Sequence, residues 1–230
     1  MSLISFLKGI DQSLFMFLNG FHNDFWDMVM LMFTRKEVWL PLYFSFIFLM
    51  AKKYRTKFFF IFIIILLAVV FSDQTSGIIK EAVKRLRPTH DPLISNSVHN
   101  ILKRGGLYGF FSSHAANTIA VAFLTSKIFN NKTYTVTVFC WALIVSYSRI
   151  YLGVHYPFDV LAGIIWGFFT GYIFYKLLLF TEKKIHPAYF PKIGEVRLTP
   201  GESICFACIL IVMIATIMLV IWRLQHYNFL

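Results

Sequence analysis

The sequence predicts an all-α protein, a polytopic transmembrane helical bundle of about six spans with amphipathic N-terminal helices. Three observations predict it. The chain is 58% hydrophobic and carries 27 Phe. Only 14% of its residues are charged, against roughly 25% in an ordinary soluble domain. The apolar residues also fall in runs close to the ~20 residues that a helix needs to cross a bilayer, with short basic loops between them.

Residues 1–34 mix apolar side chains with Lys8, Asp11, Asn19, His22, Asp24 and Asp27. They read as interfacial amphipathic helices around an Asn19–Gly20 break. Lys8, Asp11 and Gln12 interrupt any apolar stretch long enough for a cleavable signal. The expected spans are 37–52, 56–79, 113–130, 133–152, 157–180 and 203–225. Pro41 lies near the start of the first, where a missing N–H is tolerated. The expected organisation is interfacial helices over 1–34, a transmembrane core over 35–180, a cytoplasmic loop over 181–202 and an additional C-terminal transmembrane helix over 203–230.

The net charge is +11. Its residues lie mostly in short loops, which fits anionic lipid headgroups and topology control. Nucleic acid is not an expected partner, because no nucleic-acid-binding motif accompanies the charge. The loops at 52–57, 126–133 and 181–202 share one side by parity and carry many Lys and Arg, so that side is expected to be cytoplasmic. The loops at 80–112 and 150–157 then face outward. Cys140, Cys205 and Cys208 fall in apolar runs. Three is an odd number for a disulfide framework. Cys205 and Cys208 lack the further ligands of a zinc site.

Three polar clusters interrupt this apolar chain, and parity places all of them at one membrane face. Ionisable groups at membrane depth are functional candidates. The first cluster is Lys80 with Arg87-Pro88, seven residues apart and on one face if the helix continues. The second is Ser112-Ser113-His114, which opens a span and offers a cap and an anion-binding helix end. The third is Ser148-Arg149, His155 and Asp159. Pro157 suits a first helical residue, with Asp159 one turn in and able to orient His155 as a nucleophile. Arg149 can hold phosphate oxygens bidentately. Alone, each cluster has a plainer reading: a juxtamembrane basic stop, a helix cap, or an Arg149–Asp159 ion pair beside a bystander histidine. Lys84 and Arg85 read as such a stop, and Asp73 as support for Lys80. The loop 89–111 has the length of a lid or recognition element. Its Lys103 and Arg104 are candidate headgroup contacts, with solvated loop charges as the alternative.

Jointly the pattern is Lys-x6-Arg-Pro, then a Ser-containing turn ending in His, then Ser-Arg-x5-His-x3-Asp. It resembles the type-2 phosphatidic acid phosphatase superfamily over residues 80–159, about a third of the chain. The middle motif departs from the usual Pro-Ser-Gly-His, since Phe111 and Ser113 replace Pro and Gly. The resemblance implies a two-step phosphotransfer with no metal and no cofactor. His155 would attack phosphorus, and Asp159 would orient it. Lys80, Arg87 and Arg149 would neutralise the phosphate oxygens, with Ser112, Ser148 and the Ser113 amide adding hydrogen bonds. His114 would protonate the leaving oxygen and then activate water. The expected partners are a lipid phosphate and the bilayer, and the sequence assigns no oligomeric state. The expected location is a bacterial inner membrane, with the site facing the periplasm or outside. A prenyl or glycerolipid phosphatase ranks first. A lipid A phosphatase and a lipid phosphotransferase are the alternatives within this chemistry. A non-catalytic anionic-lipid binder or transporter is the alternative outside it.

Overall fold

A computed structural model describes residues 3–102, 105–185 and 191–227. Its helices are α1 (Leu3–Asn19), α2 (Asp24–Phe33), α3 (Leu40–Tyr54), α4 (Phe58–Val83), α5 (Ser113–Phe129), α6 (Lys132–Tyr151), α7 (Pro157–Ile185) and α8 (Pro200–His226). Short 3-10 turns occupy Lys36–Trp39, Arg55–Lys57, Pro88–His90 and Ser95–Ser97. Among the described residues there is no strand, only an isolated bridge between Leu86 and Tyr108. None of the three cysteines is disulfide-bonded.

Each expected span is a helix, with shifted ends. Helix α7 runs on to Ile185, past the expected end at 180, and α8 starts at Pro200 rather than 203. Its start is set by a capping box in which Thr199 and Glu202 exchange hydrogen bonds, with Pro200 in the first turn. Among the described residues, membrane-crossing length and apolarity are met by three stretches, 36–83, 157–184 and 200–226. The first of these contains both α3 and α4. Helices α5 and α6 fall outside the three. Helix α5 has 17 residues, about 26 Å of rise, and it is the central helix. It packs most extensively on α7 and then on α6 and α4. Its Thr118, Thr125 and Ser126 hydroxyls donate to carbonyls of its own preceding turn, so polar side chains are satisfied there without water.

The main core joins Trp39, Ile61, Ile119, Phe129, Tyr134, Trp141 and Phe206, from α4, α5, α6, α8 and the turn before α3. At the end of the bundle where α4 begins and α7 finishes, a buried ion pair ties the chain together. Lys57 Nζ lies 2.5 Å from Glu182 Oε1 and also donates to the Pro191 carbonyl at 2.9 Å. Glu182 accepts the Ile193 amide as well. The extra hydrogen bonds offset the cost of removing both charges from water. Glu202 pairs with Lys52 and Lys53 and links α8 to α3.

The α5–α7 contact rests on glycine. Gly163, Gly167 and Gly171 repeat every four residues and so line one face of α7. A Cβ on Gly163 would sit 2.5 Å from the Ser112 carbonyl oxygen. One on Gly167 would sit 2.6 Å from the Ala116 carbonyl, and one on Gly171 2.9 Å from Phe123 Cβ. No side chain fits, and the backbones approach as they do at small-residue helix crossings in membranes. Gly167→Val is therefore expected to destabilise the fold by about 1–3 kcal/mol or more, read as a lowered thermal midpoint in detergent. Gly77→Ala, which meets open space, is expected to leave that midpoint unchanged or raise it.

Candidate active site

The site is assembled where α4 and α6 end and α5 and α7 begin. Lys80 lies in the last turn of α4. Its ammonium donates to Ser76 Oγ at 2.8 Å and to Ser113 Oγ at 2.5 Å, and the two hydroxyls are 2.7 Å apart. Helix α4 then stops at Lys84, whose left-handed φ of 52° closes the last turn. The chain folds back so that Arg87 N donates to the Leu107 carbonyl and Gly109 N to the Arg85 carbonyl. Arg87 Nε donates to the Tyr108 carbonyl at 3.2 Å. Burial lowers the Arg87 pKa from its ordinary value. Gly109 is needed at this crossing. A Cβ there would lie 2.9 Å from Asp159 Oδ2 and 3.6 Å from His155 Nδ1.

Ser112 caps α5, its side chain accepting the Ala115 amide. Its own amide donates to the Asp159 carbonyl at 3.0 Å, so the starts of α5 and α7 are stitched together. His114 follows in the first turn. At the end of α6, buried Arg149 donates through one terminal nitrogen to Thr34 Oγ1, and its Nε has no hydrogen-bond partner among the described residues. Thr34 ends α2, so the N-terminal helices position this arginine.

His155 lies in the turn before α7 and is 2% exposed. Burial first, and then the positive charges of Arg87, Arg149 and Lys80, hold its pKa well below the ordinary histidine value. The ring is thus neutral and keeps a lone pair. Its Nδ1 is 3.7 Å from Asp159 Oδ2 and makes no hydrogen bond. Nδ1 lies toward the carboxylate, and the side chain lines the cavity with the three cations. Asp159 is itself held by Arg85 NH1 at 2.8 Å and by the Tyr156 amide at 3.1 Å. Arg85 NH2 reaches Asp11 on α1 at 2.6 Å, and its guanidinium lies 4.3 Å from the centre of the Tyr156 ring. Asp11 also accepts the Phe158 amide.

Lys80, Arg87, Ser113, His114, Arg149 and His155 meet in one cavity of about 620 Å³. A second cavity of about 530 Å³ adjoins it through Thr34, Arg87, His114 and Arg149. Ser112, Ser148 and Asp159 are fully buried and do not line either. Ser148 donates its hydroxyl to the Val145 carbonyl of its own helix. Asp73 lines the larger cavity and accepts from Asn117 rather than from Lys80. Lys103 and Arg104 lie outside the described residues.

Two plainer readings fall. Asp159 pairs with Arg85, not with Arg149. Arg85 is no solvated stop, because it joins two buried carboxylates. Sequence reasoning also missed Thr34, Ser76, Gly109 and Asp11. Of these only Asp11 carried a signal, as a carboxylate breaking an apolar helix. The arrangement separates two kinds of cation. Lys80, Arg87 and Arg149 are held by hydroxyl and carbonyl oxygens, and none has a carboxylate within ion-pair distance among the described residues. Arg85 is neutralised by carboxylates and holds them in place.

A family model described as the PAP2 superfamily matches residues 58–183. The lipid A 4'-phosphatase of Bacteroides thetaiotaomicron is 38% identical over 177 residues, covering 75% of this chain and 79% of that protein. The lipid A 4'-phosphatase of Porphyromonas gingivalis is 35% identical over 184 residues, covering 79% and 78%. Among solved structures, a transmembrane PAP2-type phosphatidylglycerolphosphate phosphatase from Bacillus subtilis superposes with a TM-score of 0.60 at 21% identity, covering 80% of this chain and 89% of that one. That last likeness is one of fold. The family match runs through all four helices whose ends build the cavity, and the chain belongs to the PAP2 superfamily.

Proposed function

We propose that the protein removes a phosphate from a lipid A-type glycolipid by way of a phosphohistidine at His155. The observation that carries the chemistry is the cavity in which two histidines meet Lys80, Arg87 and Arg149, none of which is ion-paired to a carboxylate among the described residues. The substrate reading draws on the two lipid A 4'-phosphatases matched over three quarters or more of this chain. It moves lipid A ahead of the prenyl and glycerolipid phosphates that the sequence ranked first.

Lys80, Arg87 and Arg149 bind the non-bridging oxygens and offset the charge that builds on them. The Ser113 hydroxyl lies beside Lys80 in the same wall. Nε2 of His155 attacks phosphorus as the bond to the lipid oxygen breaks. His114, protonated as the anionic phosphate enters beside it, delivers that proton to the leaving oxygen, and the dephosphorylated lipid leaves. Neutral His114 then takes a proton from water as the water oxygen attacks phosphorus. The N–P bond breaks and inorganic phosphate departs. In the phosphorylated state Nδ1 of His155 carries a proton and positive charge. Asp159, 3.7 Å away, closes on it as catalytic hydrogen bonds tighten from the unliganded geometry. Arg85 keeps the carboxylate aimed by holding its other oxygen.

The site is proposed to face the periplasm. Lys52, Lys53, Arg55, Lys57, Lys127, Lys132, Lys183 and Lys184 lie at the opposite end of the helices, at the close of α3, α5 and α7 and the start of α4 and α6. That distribution supports a cytoplasmic assignment for that end.

The test is phosphate release by purified protein in detergent with EDTA present. The panel is a lipid A-type disaccharide, undecaprenyl diphosphate, phosphatidylglycerophosphate and phosphatidate. The disaccharide is expected to turn over fastest and EDTA to have no effect. Release from no substrate would sink the hydrolase reading, and inhibition by EDTA would sink the metal-free route. His155→Ala is expected to lower kcat by at least roughly a thousandfold. His114→Ala is expected to slow it by roughly 10²–10⁴ and to accumulate protein-bound phosphate, stable in alkali and lost in acid. Absence of that adduct in rapid-quench experiments would remove the phosphohistidine.

Arg85 generates a separate expectation. Arg85→Leu strands two buried carboxylates, so it should cost about 3–5 kcal/mol of stability as well as activity. Arg85→Lys keeps the charge but cannot reach both carboxylates in one plane. It is expected to retain the fold, seen in the thermal midpoint, while kcat falls and KM stays. A fall confined to KM would mean that Arg85 contacts substrate instead.

A further inference from the structure

Two exposed cations outside the three motifs border the site. Arg35 lines the smaller cavity together with Arg87, His114 and Arg149, and Lys36 lines the larger one beside Lys80 and His155. They sit at the elbow between α2 and α3. Arg35 is extended, at φ −81° and ψ 123°, and Lys36 opens the 3-10 turn that leads into α3. The elbow is rigid where it matters, because the preceding residue, Thr34, holds the catalytic arginine Arg149. Neither side chain makes an ion pair or hydrogen bond among the described residues.

The charge count of the two adjoining cavities exceeds what one phosphate needs. Their walls carry five cations, Arg35, Lys36, Lys80, Arg87 and Arg149, against one carboxylate, Asp73. A bound phosphate monoester supplies about two negative charges near neutral pH. About two positive charges then remain, and they are the two at the elbow. Asp159, behind His155, is already paired with Arg85, and Glu37, in the same turn as Lys36, lines neither cavity. Space is also in excess. Cavities of about 620 and 530 Å³ have the size of sites that hold whole small molecules.

We infer that Arg35 and Lys36 form a second anion subsite, which takes another phosphate-like group on the same headgroup and selects substrates bearing one. The inference deepens the lipid A-type reading and rests on it for the choice of substrate. The subsite is not part of the family motif set, since the family match begins at residue 58.

The test compares a lipid A-type disaccharide bearing phosphates at both ends with the same disaccharide bearing only the phosphate that is released. Full-length wild type and the double variant Arg35→Gln/Lys36→Gln are assayed in detergent. For the double variant, kcat/KM on the doubly charged substrate is expected to fall roughly tenfold, mostly through KM, with the singly charged substrate changed less than about twofold. The double variant Arg35→Lys/Lys36→Arg should keep the wild-type preference, and thermal midpoints check that all three proteins fold. Equal loss on both substrates, or loss on neither, overturns the subsite. If wild type hydrolyses neither disaccharide, the lipid A reading fails independently. The subsite is then read on a prenyl diphosphate against a prenyl monophosphate, where the Gln variant must still lose the preference for the more charged lipid.

Discussion

Gly163, Gly167 and Gly171 let α7 lie against α5 with their backbones nearly touching, and the site depends on this approach. Helix α5 brings Ser113 and His114, and the start of α7 brings His155 and Asp159. The Ser112 amide closes on the Asp159 carbonyl just above the first of the glycines. In the proposed reaction, two side chains from different helices must agree in position to within a fraction of an ångström to act on one phosphorus atom. A crossing with no side chains in it has few ways to slide. Bulky residues at the same positions would separate the two histidines before they changed anything else.

The second constraint is electrostatic. Three cations crowded into one basin repel each other, and the usual remedy of a carboxylate beside each would cancel the charge that the proposed phosphate binding requires. The structure holds them with neutral oxygens instead. Ser76 and Ser113 hold Lys80, the Tyr108 carbonyl holds Arg87, and the Thr34 hydroxyl holds Arg149. The site's own carboxylate, Asp159, sits behind His155 and is occupied by Arg85. It is near enough to answer a charge on the imidazole, and its pairing with Arg85 keeps it from quenching the basin in front. The partner of a cation, more than its sequence position, therefore separates the binding arginines from the bracing one.

Much of this was legible in the sequence, and the part that was not has a common cause. Helices over all six expected spans follow from long apolar runs with polar breaks, and those signals are local. The order and spacing of Lys80, Arg87, His114, Arg149 and His155 marked the residues that do share a cavity. Contacts between distant segments were not legible. Arg85 read as a stop because nothing in its neighbourhood announces a partner 74 residues away on either side, in Asp11 and Asp159. Ser112 and Ser148 read as phosphate ligands because their types and positions fit, yet nearby backbone engages both hydroxyls: Ser112 accepts the Ala115 amide as a cap, and Ser148 donates to the Val145 carbonyl. The count of spans came from hydropathy. Hydropathy reports lipid-facing surface poorly for a helix such as α5, which is enclosed by its neighbours.

The N-terminal helices show why the matched family region is not the whole machine. Residues before 58 lie outside that match, yet three of them hold parts of the site in place. Thr34 fixes Arg149, and Asp11 fixes both Arg85 and the Phe158 amide at the start of α7. Asn19 is buried, and its amide nitrogen donates to the Tyr151 and His99 carbonyls while its oxygen accepts the His99 amide. It thereby pins the loop after α4 to the end of α6. An amphipathic pair of helices that only rested on a membrane would not need buried polar side chains aimed at the ends of α6 and α7. The end of α2 and the elbow after it line the basin through Leu31, Thr34, Arg35 and Lys36, while α1 braces it from behind through Asp11 and Asn19. Residues outside the matched family region thereby hold the ends of α6 and α7 in the positions that the proposed chemistry requires.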